Sequence, residues 1–225
     1  MINVCKYLLF ISFFHQLTNS TKIHIPISLN GQSHSFNVAN YCELSSSEST
    51  KENSLRQSIR EFCIIHFIRV FDCNQIMKEA ESSYYLVSAG ANLRLDHDWI
   101  QKWMPSDGTV VFEDLTNSTG VLVVAGPKAR DLMKKVSTDD FSNENFKWLT
   151  AKKVNVGYAP VNAMRVNFVG ELGWELHHPI EYQNHIFDKL MEAGKDLGIK
   201  PFGIRAMNSL RVEKSYKLVG TELSI

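Results

Sequence analysis

The residues best suited to chemistry lie in one ten-residue run, Gly170 to Pro179 (GELGWELHHP), preceded by RVNFV from Arg165. Two glycines three apart predict a tight strand-to-strand connection, with Glu171 in the turn and Glu175 in the returning strand. A carboxylate held there can accept two parallel hydrogen bonds from the edge of a planar heterocycle that presents a ring N–H beside an exocyclic amine, and its charge strengthens both. Phe168 or Trp174 would then pack on the face of that ring. The plainer reading makes Glu171 a solvated turn residue and Trp174 part of the core. Arg211, in the segment SLRVEK, is a natural partner for a carboxylate. Its spacing from Glu213 puts the two on different helical faces, and an ion pair at the edge of the core is the competing role.

The elements that must position these residues become orderly from Ser83 onward. Tyr84 to Val87 reads as a strand stopped by Ala89-Gly90. A helix follows, capped by Asn92, with Leu93, Leu95, Trp99, Ile100 and Trp103 on its apolar face and Pro105 ending it. Thr109 to Leu115 and Gly120 to Val124 read as two strands of a hairpin joined by the polar turn Thr116 to Thr119. Pro127 opens a helix that carries Ala129, Leu132, Met133 and Val136 as a stripe. Alternation of Met164, Val166 and Phe168 with Arg165 and Asn167 predicts a strand over Val161 to Val169, with Gly173 to His177 returning from it. Two helices close the sequence, Ile180 to Leu197, stopped by Gly198, and Ile204 to Tyr216, carrying Leu210 and Val212. This order predicts an α+β fold, a mainly antiparallel sheet with helices packed on one face.

Residues 1–82 lack such order and are expected to form a poorly ordered or unmatched N-terminal segment. The polar tract Ser45 to Ser54 reads as a linker, and Leu55 to Val70 as a helix with a broad apolar face. Lys6 and the apolar run Tyr7 to Phe14 resemble the start of a secretory signal, but eight residues fall far short of the roughly 20 that span a bilayer. No firm membrane span is expected, and export stays open. Asn19 and Asn117 begin glycosylation sequons, which matter only in an exported chain.

Composition narrows the function classes. The 24 basic and 24 acidic side chains cancel, so no excess field would draw nucleic acid. Cys5, Cys42, Cys63 and Cys73 contain no CxxC pair, which argues against a zinc site and a disulfide framework; no metal is expected. The absence of a GxGxxG motif argues against a flavin-binding Rossmann module in this sequence.

GELGWELHHP (170 to 179), VLVVAGPKARDLM (121 to 133) and FGIRAMNSLRVEKSY (202 to 216) together resemble the folate-binding, aminomethyltransferase-type domain of the dimethylglycine and sarcosine dehydrogenase family. The T-protein of the glycine cleavage system is a more distant relative. The resemblance covers residues 83–225 and implies a partial, incomplete domain of that kind. It implies binding of tetrahydrofolate, which accepts a one-carbon unit to give 5,10-methylenetetrahydrofolate. FAD would belong to a missing module, a flavin dehydrogenase partner.

In the family an acidic residue of the GELGWE segment holds the pterin edge, so Glu175 or Glu171 is implied for that role. A tyrosine-like position of relatives matches Phe168, which lacks the hydroxyl. The proposed acid/base of relatives falls in IRVFDCNQIMKE (68 to 79), where Asp72 is the candidate, a register shift of one gives Cys73, and a polar loop residue is the bland reading. The alternative to a folate domain is a non-catalytic regulatory or binding protein on the same scaffold, like the regulatory subunit of pyruvate dehydrogenase phosphatase. Relatives are mitochondrial or bacterial-cytoplasmic, although the first 20 residues lack the arginines of a transit peptide.

Overall fold

A computed structural model describes residues 9–13, 18–24, 75–80, 83–90, 93–104, 106–108, 110–218 and 221–222. The chain divides into two compact units, residues 1–18 with 115–217, and residues 19–114 with 218–225. The division therefore runs at 18/19, 114/115 and 217/218, whereas the sequence pattern changes at 82/83.

The first unit holds a six-stranded sheet of β1 (Leu9–Phe13), β6 (Thr119–Ala125), β7 (Ala151–Val156), β8 (Ala159–Met164), β9 (Gly173–Pro179) and β10 (Ile199–Pro201), in the order β10-β1-β6-β9-β8-β7. All its pairings are antiparallel except β1 with β10. β6 explains the layering. Its run Gly-Val-Leu-Val-Val-Ala is buried on both faces, as befits a central strand covered on both sides. Leu122 and Val124 face a core shared with α2 (Ala129–Val136) and α3 (Gln183–Ala193), through Leu132, Met133, Ile186 and Leu190. Val123 and Ala125 face the other way, against Met207 and Leu210 of α4 (Ile204–Glu213). The expected α+β class is thus present, with α4 on the opposite face from α2 and α3.

The second unit holds β2 (Thr18–His24), β3 (Gln75–Ala80), β4 (Ser83–Ala89) and β5 (Val111–Asp114) in the order β3-β4-β2-β5. α1 (Leu93–Trp103) packs Ile100 on Leu86 of β4. Leu95, expected on its apolar face, is exposed.

Three expectations need correction. β5 and β6 are not a hairpin: β5 pairs with β2, and β6 with β1 and β9. A strand buried on both faces belongs in the middle of a sheet with a hydrogen-bonded strand at each edge, and β1 and β9 take both edges of β6, leaving none for the mostly exposed β5. The turn between them, closed by Ser118 N–H donating to the Leu115 carbonyl at 3.0 Å, instead carries the chain from one sheet to the other. The strand expected over Val161 to Val169 runs from Ala159 and stops at Met164. Beyond it, Asn167 accepts from Val169 N–H with its side-chain oxygen and donates to the Glu171 carbonyl, and this local turn replaces the ladder. The sequence reading also passed over the β7–β8 hairpin, which turns on Gly157-Tyr158 with Gly157 at φ 59°. The long helix expected over Ile180 to Leu197 is a 3-10 turn, α3 and a second 3-10 turn. Gly198 ends it in the left-handed conformation.

The expected helix at 55–70, the linker and the four cysteines lie outside the described residues. Among the described residues no helix is long and apolar enough to cross a membrane, and no group of His, Cys, Asp and Glu could hold a metal ion.

Candidate functional site

Alternation along β9 sorts GWELHH into two sets. Glu175 lies opposite Val123 of β6 and Met164 of β8, and His177 lies opposite Val121. Both therefore share the face on which Val123 and Ala125 meet α4. Trp174 and Leu176 take the other face, in the core with α2 and α3.

Glu175 is a carboxylate in the interior, its side chain 6% exposed, with His177 Nε2 3.3 Å from its Oε2 and that imidazole 1% exposed. Burying a charge is costly unless hydrogen bonds accompany it, so a buried acid with a buried imidazole beside it marks a specialised place in the sheet. The sequence reading missed His177. The signal was available, since the same alternation that brings Glu175 inward brings in the residue two positions on.

Phe168 and Arg211 come together on this face. Phe168 packs against the cluster of Val123, Ala125, Val169 and Met207, and the Arg211 guanidinium lies 5.7 Å from its ring centroid. Arg211 is fully buried on α4, donating from Nε to Asn208 Oδ1 at 2.8 Å and from Nη1 to the Tyr216 carbonyl at 2.7 Å. Those bonds tie the end of α4 around the guanidinium and fix it over the ring.

Glu171 is neither in this interior nor simply solvated. It sits in the turn and pairs with Lys214 Nζ at 2.9 Å, with its side chain 19% exposed. Gly170 beside it has φ 71°, and a Cβ there would press on the Lys214 side chain, so the glycine both permits the turn and admits the lysine. At the other end of the turn a Cβ on Gly173 would strike the Val124 carbonyl oxygen. The two glycines thus have separate causes, backbone handedness and close strand approach.

Trp174 requires a correction. It is fully buried, with edge-on contacts to Phe141 at 5.2 Å and Phe146 at 6.0 Å, on the opposite face of β9 from Glu175. It serves the core and cannot stack on a ring held by Glu175. Asp72 and Cys73 lie outside the described residues.

The family model described as GCVT N-terminal domain matches residues 70–225. Human (Homo sapiens) mitochondrial dimethylglycine dehydrogenase is 36% identical over 157 residues, which is 69% of this chain and 18% of that protein. The mitochondrial regulatory subunit of pyruvate dehydrogenase phosphatase from Mus musculus is 31% identical over 154 residues, 68% of this chain and 17% of that protein. The chain thus spans less than a fifth of the length of either relative. In fold it is similar to the crystal structure of glycine cleavage system aminomethyltransferase T from Bartonella henselae. The TM-score is 0.66 at 15% identity, covering 97% of this chain and 54% of that one.

Proposed function

The chain belongs to the GCVT N-terminal domain family, and on that premise we propose that it is a tetrahydrofolate-binding domain of a dimethylglycine/sarcosine dehydrogenase-like protein. The observation that carries the proposal is the buried Glu175 carboxylate, with His177 at 3.3 Å, on the face that also holds Phe168 and Arg211. These residues suit a pterin. The acid can accept from the ring N–H and the exocyclic amine, and Phe168 offers an apolar face to the ring. Arg211 keeps Phe168 in place. Glu171, paired with Lys214, is the second candidate for the pterin edge.

Tetrahydrofolate would supply the amine nitrogens that take up a one-carbon unit, giving 5,10-methylenetetrahydrofolate. Asp72 is the proposed acid/base for that step. The flavin chemistry that releases the unit would belong to a dehydrogenase partner or module, in the mitochondrial matrix or the bacterial cytoplasm. Similarity to the phosphatase regulatory subunit favours a second reading, a regulatory or binding protein on the same scaffold.

Calorimetric titration with 5-formyltetrahydrofolate separates the two. Glu175→Gln keeps one acceptor but sets an NH₂ group against a donor, so binding should weaken by about 2–4 kcal/mol, roughly thirty-fold or more. Equal affinity of wild type and Glu175→Gln would move the anchor to Glu171. If Glu171→Gln is equally silent, the folate reading fails.

A further inference from the structure

On the Trp174 face of the sheet, away from Glu175, two arginines meet without a carboxylate. Arg130 of α2 donates from Nη2 to Asn143 Oδ1 at 2.6 Å, and Arg165, just past β8, donates from Nη2 to the same oxygen at 2.7 Å. One acceptor therefore holds two guanidiniums side by side, each 5.9 Å from the Trp174 ring centroid. Their remaining bonds go to main-chain carbonyls, Arg130 Nε to Phe141 at 2.8 Å and Arg165 Nη1 to Phe146 at 2.5 Å. A guanidinium carries five N–H donors, so the Arg130 Nη1 group and the Arg165 Nε–H have no acceptor among the described residues.

Of the acids in the neighbouring loop, Asp139 and Asp140 are committed elsewhere, and the exposed Glu144 makes no ion pair with either arginine. Asp139 bonds Ser137 Oγ and the Asn155 N–H, and Asp140 bonds the Ser142 N–H and Asn145. Burial, and after it the charge of Arg130, hold Arg165 below the ordinary arginine value. The indole N–H of Trp174 also lacks an acceptor among the described residues. Arg130 and Arg165 are half-buried and Asn143 is exposed, so the pair is open to solvent.

We propose that Arg130 and Arg165, joined through Asn143, form a binding site for a doubly charged oxyanion of the phosphate class, free or carried as a monoester. Charge decides the class. Two fixed cations side by side repel, and one carboxylate neutralises only half of that charge. A phosphate dianion offers several acceptor oxygens to planar donor forks, the arrangement in which guanidiniums bind most strongly. The site is independent of the folate reading, because it uses neither Glu175 nor its face of the sheet.

Thermal unfolding of the whole chain with inorganic phosphate, against sodium chloride and sodium acetate at matched ionic strength, is the test. A ligand that binds only the folded state raises the midpoint with concentration, here by at least ~2 °C at saturation beyond either control. Asn143→Asp is the informative variant. It sets a carboxylate where both guanidiniums already converge on a solvent-exposed residue, so the protein should be more stable without phosphate and its phosphate response should weaken. A glycerol phosphate arm assigns the source: greater potency than inorganic phosphate points to a monoester, lesser potency to the free ion. No excess stabilisation of wild type by phosphate overturns the proposal. So does an Asn143→Asp response equal to that of wild type, which would put the anion elsewhere.

Discussion

The two faces of β9 differ in what they ask of adjacent residues. On one face Trp174 and Leu176 are fully buried among Phe141, Phe146, Leu132 and Ile186, where close packing is the first requirement. On the other, Glu175 and His177 are almost as deeply buried but bring charge and hydrogen-bonding capacity into the sheet. A strand whose two faces are both covered can assign stability to its even residues and recognition to its odd ones. Neighbours in sequence then have unrelated jobs, and each face can be disabled while the other is left intact.

The largest effect should come from the core face. Trp174→Ala removes the side chain that meets both phenylalanines, and its cost should be about 3–5 kcal/mol in denaturant unfolding. Folate affinity per folded molecule should stay close to wild type. If it falls as far as in Glu175→Gln, the two faces are coupled and the division fails.

Next in size is the site face. His177→Phe fills the imidazole space but withdraws the ring nitrogen beside the buried Glu175 carboxylate, so stability should fall by about 1–3 kcal/mol. The double variant with Glu175→Gln should recover part of that loss, because the charge is then gone. Additive losses would mean that the two side chains do not act as a pair.

The divide between the faces was legible in advance, and alternation would have found it. Gly-Trp-Glu-Leu-His has the period of a strand, which puts Trp174 and Glu175 on opposite faces and favours Phe168 over Trp174 as the residue to pack on a ring held by Glu175. α2, α3 and the stop at Gly198 were readable because capping, proline and glycine positions act locally. The pairing of β5 and β6 was not. Their separation by a short polar turn fits a hairpin, and what overrides it is β6's need for β1 and β9, residues more than forty positions away. The end of β8 at Met164 was hidden for another reason. Val166 and Phe168 keep the alternation of a strand, while Asn167 closes a turn with its own side chain, a competition that hydrophobic pattern does not register. The acid/base candidate Asp72 was reached through resemblance alone, and its position lies outside the described residues.

At the turn between β8 and β9, Glu171→Gln should cost about 0.2–1 kcal/mol, the range for a partly exposed ion pair, here with Lys214. A loss as large as that of His177→Phe would place Glu171 inside the recognition face after all.

The smallest effect concerns the loop that brings Phe141 and Phe146 onto Trp174. Its exposed Asp140 has a carboxyl lowered to about 2, first by the hydrogen bond from Asn145 and then by those from Ser142. Because the folded value lies below that of the unfolded chain, the carboxylate's contribution is fully present above about pH 4 and disappears as pH falls through about 2. Asp140→Ala should therefore unfold at a slightly lower temperature than wild type at pH 6. The gap should close as both are taken from pH 4 towards pH 2. Glu175 and His177 lie on the face of β9 opposite the phenylalanines this loop supplies, so folate affinity at pH 6 should be the same in both proteins. A gap that stays constant down to pH 2 would mean that the side chain's shape, and not its charge, holds the loop. A change in folate affinity would mean that the loop over the core face also governs the site face, and the separation of roles along β9 would no longer stand.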